Sequence, residues 1–525
     1  MLDTLARSLR AHPDRPAVLR GTRTGGVRTA ATRGDLADLT DRYAAALHAR
    51  GITRGSTVGV AVRPGPRALA VMLALYRLGA RAAVLDPGAG PDVLRARFAL
   101  ARPDAVLADA TAQAVAGWAR PLARRAHLAL PDLTELGPVL TVGPRAPGCA
   151  PALDTGVRTA LPPRPVDEDG DAVIVFTSGT TSRPRAVVHT RSSLAAGMAT
   201  VAGLVRPEAG RPVLGGTFFV LVPSLASGAP VALPARSPRA LCRQLRRLAP
   251  QATYLTPPQL RRVLGEGGRF TGRVWTGSAP AGAGLLTRVK RAGADEAWGV
   301  YALTELFPAA AVEQADKASF TGDGDLVGEP LPGVTAMTDA AGELLLSGPA
   351  ARDRYLGESP DPWVATGDRA RLDTGRIVLE GRSKDMVLRR AENIYPGLYE
   401  PALHTPGVEL ALLVGVPAGD GDERLVAVVQ PVPGADRAAL RAGLAGPLSR
   451  MGTARPDAVL LADIPLSGRS LKPDRAATAR LAAARLASRG PASRGPASGR
   501  LAFGRLASGR PRPPGGGQGT EGSGG

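Results

Sequence analysis

The sequence predicts an α/β protein in three parts: a large N-terminal domain of parallel βα layers, a small C-terminal α+β domain, and a disordered basic tail. Three observations carry this. Apolar runs of strand length alternate with helix-period runs up to about residue 340. Beyond that point short strands with turn signals take over. From about Ala484 the chain is low in complexity, repeating RGPAS and ending in Gly, Pro and Arg. A chain of 525 residues, 44% hydrophobic, exceeds one ordinary core, so at least two domains are expected.

The elements follow in order. Residues 34–50 read as an amphipathic helix closed by Gly51. TVGVAV then reads as a strand, RALAVMLALYRLGA as a helix ending at Gly79, and RAAVLDP as a strand stopped by Pro87. Strand, helix, strand is the pattern of a βαβ unit. DAVIVF, residues 171–176, has the β-branched content of a buried strand and empties into TSGTTSRPR. The βαβ pattern returns at residues 211–234, with a helix at 238–248 and the strand ATYLTP. GELLLSGP and GRIVLEG are short strands. ELALLVGVP and RLVAVVQPV follow, with a helix at 435–444. Domain boundaries are placed at 1–380, 381–483 and 484–525.

Composition excludes several classes. The formal charge is +20, of which the end from Arg485 contributes +6, as seven Arg against one Glu. The remaining arginines are spread through periodic segments, aromatics are 4%, and no nucleic-acid recognition motif is present, so no nucleic-acid partner is expected. No apolar run reaches membrane-spanning length, because 68–87 is cut by Arg77 and Arg81. The N-terminus lacks the apolar centre of a signal peptide. Cys149 and Cys242 give neither a disulfide framework nor zinc spacing, which fits a reducing cytoplasm. The five histidines are scattered and read as surface or core residues. Four lysines stand among 66 basic residues: Lys290, Lys317, Lys384 and Lys472.

Familiar motifs fail at several places. The loop after Phe176 lacks the Gly-Lys pair of a Walker loop. No G-x-S-x-G elbow occurs. GAGPDV lacks the third glycine of a dinucleotide fingerprint, and DEDGDAV puts Ala172 and Ser178 where a calcium loop needs Gly and Glu.

Six other stretches belong together. They are TSGTTSRPRA at 177–186, WTGSAP at 275–280, YALTE at 301–305, ATGD at 365–368, and GRSKDMVLRRAENIYPGLYE at 381–400, closed by LKPDR at 471–475. Taken in this order, they resemble the acyl-adenylate-forming enzymes: acyl-CoA synthetases, luciferases and the adenylation domains of peptide synthetases. The resemblance runs from about Ser8 to Arg475. It departs from the family pattern at Ser182 and Ala186 for glycine, Arg185 for lysine, Arg390 and Ala391 for glycines of the junction, and Leu471 for glycine.

The resemblance implies ATP, Mg²⁺ and CoA as cofactors. It implies that Thr177, Ser178, Gly179, Thr180, Thr181 and Arg185 hold phosphates through hydroxyl, backbone and guanidinium donors. It puts Ser278, Ala279 and Pro280 beside adenine and Tyr301 against its face. Thr304 and Glu305 fall near phosphates and Mg²⁺, Asp368 near the ribose, Arg382 among the residues that bind the nucleotide, and Lys472 between carboxylate and phosphate. Lys384 falls at the hinge on which the small domain rotates. The implied reaction is adenylation of a carboxylic acid, then acyl transfer to a thiol of CoA or a carrier protein.

Thr217-Phe218-Phe219-Val220-Leu221 has no acid where amino-acid-activating members carry Asp, which favours an apolar fatty or aryl acid. VLDPGAGPDVLRARFALARPDAVLAD and YALTELFP also look like the β-lactone synthetases of olefin biosynthesis, so a β-hydroxy acid is the alternative substrate. A degenerate member that binds nucleotide or acyl-AMP without catalysis is the third reading.

Overall fold

The computed structural model describes residues 2–21, 26–85, 91–120, 130–157, 160–162, 169–177, 185–390, 392–419, 422–467 and 471–488. The expected disordered tail beyond residue 488, the loop residues Ser178, Gly179, Thr180, Thr181 and Ser182, and Ala391 lie outside these.

Among the described residues the large domain is built on two sheets. One has seven strands and takes in Thr57–Ala61, Arg81–Val84, Ala105–Ala108 and Asp171–Phe176, all parallel, with Ala186–Thr190 antiparallel beside Asp171–Phe176. The predicted βαβ unit is there: Pro66–Leu78 crosses between its two strands and ends at Gly79, whose φ of 72° is the left-handed cap glycine tolerates. The other sheet has thirteen strands. Its parallel part runs through Val213–Leu214, Ala252–Tyr254, Arg273–Thr276 and Glu296–Tyr301.

Parallel pairing ends earlier than the sequence pattern suggested. From Glu296–Tyr301 onward each new strand is antiparallel: Ala310–Glu313, Asp325–Pro330, Arg376–Arg382, Val364–Asp373 and Glu343–Ser347. Between Glu296–Tyr301 and Ala310–Glu313 only residues 302–309 intervene, too few for a crossover helix, so that pair closes as a hairpin.

Local chemistry explains the helix ends. Thr32 and Asp35 form a capping box at the start of Arg33–His48. Ser237 caps Pro238–Leu248, with Pro at its first turn. The main core packs Leu36, Leu47, Leu75 and Met198 between helices and sheet.

The small domain carries a three-stranded sheet of Val408–Gly419, Asp422–Pro431 and Ala458–Leu461. Its two faces are covered separately. Leu413, Leu425, Val429 and Leu440 form one cluster. Leu412, Val414, Val428 and Ala482 form the other. The last helix, Arg475–Ala487, is capped by Asp474, and Leu486 near its end packs on the second cluster. It therefore continues four residues, 484–487, into the low-complexity composition. Where the domains meet, Gly381 and Gly397 lie backbone to backbone, and a Cβ on Gly397 would fall inside Gly381.

Candidate active site

The site is built where the parallel half of the large sheet gives way to its antiparallel half. Tyr301 ends the strand Glu296–Tyr301 and Asp368 lies in Val364–Asp373. Asp368 and Arg382 are direct cross-strand partners, the position in which opposite charges stabilise a sheet. Arg382 donates Nε–H to Asp368 Oδ1 at 2.7 Å, and Tyr301 donates its phenol to Oδ2 at 2.6 Å. Asp368 is 4% exposed. Burial, then Asp368, pushes the Tyr301 phenol well above its ordinary range. Burial lowers the Arg382 guanidinium, but Asp368 and Tyr301 more than offset it, so the net direction is up.

Two lysines join this cluster. Lys472 begins the short strand Lys472–Pro473, paired with Leu466–Ser467. Its ammonium is lowered by loss of solvent first, then by Arg382 and Lys384, with Asp368 opposing. The side chain still reaches solvent, so these effects are screened. Lys384, in the turn Ser383–Asp385, is lowered by burial and then Arg382, with Asp385 and Asp368 opposing. Three cations, Arg382, Lys384 and Lys472, thus lie near two carboxylates, Asp368 and Asp385, a group with net positive charge. Arg475 anchors the Lys472 segment. It binds both oxygens of Glu400 at 2.7 and 3.0 Å, the Leu413 carbonyl at 2.6 Å and Asp385 at 3.2 Å.

Thr304 and Glu305 follow Tyr301 in a turn. His189 Nε2 lies 2.8 Å from the Thr304 carbonyl, and Arg352 N–H donates to the Glu305 carbonyl at 2.6 Å. His189 is 1% exposed, and burial lowers its pKa. The neutral ring can therefore donate from Nε2. Tyr355 donates its hydroxyl to Glu305 Oε1 at 3.2 Å. Its ring carries two guanidiniums, Arg352 at 4.5 Å and Arg185 at 5.0 Å from the centroid. Arg185 and Thr177 bracket residues 178–184: Thr177 N–H donates to the Arg185 carbonyl at 3.1 Å, and Arg97 donates to the Thr177 carbonyl at 3.1 Å. Ala186 sits in a regular strand opposite Phe176, so the missing glycine there costs no backbone strain.

Ser278, Ala279 and Pro280 follow the strand Arg273–Thr276. Ser278 has a φ of 69° and its Oγ lies 3.2 Å from the Tyr254 hydroxyl. The sequence-predicted residues therefore fall in three neighbouring groups: Tyr301, Asp368, Arg382, Lys384 and Lys472; Thr304 and Glu305 with Arg185; and the turn at Ser278.

Sequence reasoning missed Tyr355 and the positioning contact of His189. DRY at 353–355 carries no motif signal of its own, and a lone histidine in a strand reads as core. Arg390 and Leu471, which replace glycines of the resembled pattern, have φ of 52° each. The backbone keeps the left-handed form that glycine favours while carrying a side chain. Two concavities, about 490 Å³ beside Arg95 and Glu135 and about 250 Å³ beside Arg81 and Asp171, contain none of the predicted site residues.

A family model described as AMP-binding enzyme matches residues 5–356. By sequence the chain is 27% identical over 437 residues to the olefin β-lactone synthetase of Stenotrophomonas maltophilia (strain K279a), covering 72% of this chain and 77% of that protein. It is 28% identical over 466 residues to the feruloyl-CoA synthase of an Amycolatopsis species, covering 82% and 88%. In structure it resembles the amide bond synthetase McbA from Marinactinospora thermotolerans, with a TM-score of 0.72 at 24% identity over 92% of this chain and 99% of that one. The chain belongs to the AMP-binding enzyme family, the adenylate-forming ligases.

Proposed function

We propose that the chain adenylates an apolar fatty or aryl acid with ATP and then passes the acyl group to a thiol, of CoA or of a carrier protein. In the first step a carboxylate oxygen attacks the α-phosphate, the bond to the bridging oxygen breaks, and pyrophosphate leaves. Two anions must meet, so positioning and charge neutralisation dominate. The observation that carries the reading is the Asp368 carboxylate held by Tyr301 and Arg382 with Lys472 and Lys384 around it. A carboxylate offers about four lone-pair sites. Two are used by Tyr301 and Arg382, which leaves two lone-pair sites, the number the two hydroxyls of a ribose would take. Lys472 would supply a compact positive charge between the reacting carboxylate and phosphate.

Thr177 and Arg185 would flank the β- and γ-phosphates at the mouth of the loop, with Ser178, Gly179, Thr180 and Thr181 between them. Ser278, Ala279 and Pro280 would border the adenine and the Tyr301 ring would back it. Glu305 is a partly buried hard oxygen donor, oriented by Tyr355. Among the described residues no group of three or more His, Cys, Asp or Glu could hold a metal alone. One carboxylate suits Mg²⁺, which keeps waters and substrate phosphates as its other ligands. When bound, Mg²⁺ would neutralise phosphate charge, and Thr304 would lie beside it. Lys384 would serve as the hinge between a domain of residues 1–380 and one of 381–483.

The apolar acid is supported by Phe219, whose ring meets Phe307 at 3.5 Å between centroids, with Tyr254 and Trp298 in the cluster that Phe307 joins. An acid that donates an ammonium would find no carboxylate in 217–221. The feruloyl-CoA synthase relative, named for an aryl acid and CoA, points the same way.

A second reading, lactone closure of a β-hydroxy acid, is favoured by the olefin β-lactone synthetase relative and by the exposed Arg390 side chain at the junction. Carboxylate-dependent exchange of labelled pyrophosphate into ATP, run over fatty, aryl, β-hydroxy and amino acids, tests the first step. Product analysis with and without CoA separates the readings.

A further inference from the structure

We propose that Glu409 is a positioning residue: it clamps the small domain to two helices of the large domain and so keeps Lys472 beside Asp368. This rests on the adenylation reading above. Glu409 belongs to Val408–Gly419 in the small domain, yet its carboxylate reaches out of that domain. Arg261 Nε lies 3.1 Å from Oε1 and Arg288 Nη1 lies 2.9 Å from Oε2. Arg261 is on Pro257–Gly265 and Arg288 on Ala283–Arg291, both in the large domain. The Glu409 side chain is 9% exposed and that of Arg261 13%. This pair is desolvated, unlike the exposed ion pairs that contribute little.

A bulge aims the carboxylate. Pairing with Asp422–Pro431 runs from Val408–Pro431 to Leu410–Gln430, which leaves Glu409 as the extra residue. Packing records the same slip. Val408 joins Ala411 and Leu413 on one face, whereas Leu410 joins Leu412 and Val414 on the other. Strict alternation would have put Val408 with Leu410. The irregularity turns one side chain away from both small-domain cores and toward the seam.

The charge balance makes the contact decisive. Burial lowers the Arg261 guanidinium, Glu409 opposes that, and Arg288 adds to it. Without the carboxylate, two cations would face the seam unpaired. Other contacts across the seam include the Gly324 N–H to Leu398 carbonyl bond at 3.2 Å and Arg369 over the Tyr395 ring at 4.7 Å. Both are weaker than a doubly paired buried carboxylate.

Hydrogen–deuterium exchange on the full chain tests the clamp without any substrate. Glu409→Gln keeps the shape and removes the charge. Arg288→Met removes the more exposed arm. The Gly324 amide should exchange at least about tenfold faster in Glu409→Gln and less so in Arg288→Met. The amides of Val426 and Val428 in the small-domain core should stay protected. Pyrophosphate exchange should fall with the Gly324 change, while acyl transfer from preformed acyl-AMP is retained. If Glu409→Gln loses core protection, it has failed to fold, and Arg288→Met decides. Unchanged Gly324 exchange in the folded variants overturns the clamp. A wild type without pyrophosphate exchange would instead sink the adenylation reading, since the Gly324 amide reports the clamp independently.

Discussion

Asp368 and Arg382 stand opposite each other across two antiparallel strands, joined from Oδ1 to Nε at 2.7 Å, with the carboxylate buried and the Arg382 side chain half exposed. A carboxylate fixed this way is pre-set to receive further donors. Tyr301→Phe removes one neutral partner and should raise the KM for ATP about 3- to 10-fold, from ~1 kcal/mol per hydrogen bond, with kcat little changed. Asp368→Ala leaves Tyr301 and Arg382 without their acceptor and should cost ~2 kcal/mol of stability as well as ATP affinity. Exchange kinetics and thermal unfolding check both. Unchanged KM in both variants removes Asp368 from the nucleotide site.

The pH dependence follows from Lys472. Its ammonium is lowered by burial and by Arg382. Adenylation should therefore fall on an alkaline limb placed below the ordinary lysine value. Lys472→Arg, permanently charged, should lose that limb even if its maximal rate is lower. The stability contribution has the opposite sign. A lysine lowered in the folded state binds fewer protons there than when unfolded, so stability rises with pH between the two values. An alkaline limb that survives in Lys472→Arg would assign it to another group.

Backbone strain at the two replaced glycines predicts a reversal. Leu471→Gly should be neutral or stabilising, whereas Leu471→Val should cost ~1–2 kcal/mol, because a β-branched side chain is least tolerated at a φ of 52°. Arg390→Gly with Ala391→Gly should leave pyrophosphate exchange unchanged and raise CoA-thioester formation, because it restores the two glycines of the resembled junction motif. Denaturant titration and thioester assays check the pair. Equal stability of the Gly and Val variants at 471 would show that the backbone relaxes.

Removing residues 489–525 should leave adenylation and unfolding temperature unchanged, since that segment has no periodic apolar face. Truncation after Ala484 should destabilise the small domain, because it deletes Leu486 from the cluster around Ala482 and Val428. Matching thermal melts for the two truncations would contradict this.

Much of this architecture was legible in the residues because local patterns set it. The helix Pro238–Leu248 follows from Ser237, the proline behind it and an apolar stripe. The parallel units follow from alternation of apolar strand and helix. What stayed hidden depends on pairing. Nothing local says that Asp368 opposes Arg382 fourteen residues later, or that Tyr355 links Arg185 to Glu305. ELALLVGVP reads as an uninterrupted strand, so the bulge that turns Glu409 outward could not be seen. The left-handed backbone at Arg390 and Leu471 was readable only as a departure from a resembled pattern, since neither residue type signals a positive φ.

The most direct test of the account is acid-dependent exchange of labelled pyrophosphate into ATP, measured on wild type and on Lys472→Ala. The account predicts exchange with at least one apolar acid, lost by about a hundredfold or more in Lys472→Ala, while acyl transfer from preformed acyl-AMP is largely retained. A wild type that binds ATP but exchanges pyrophosphate with no acid of the panel would contradict it and leave a nucleotide-binding protein in the place of an enzyme.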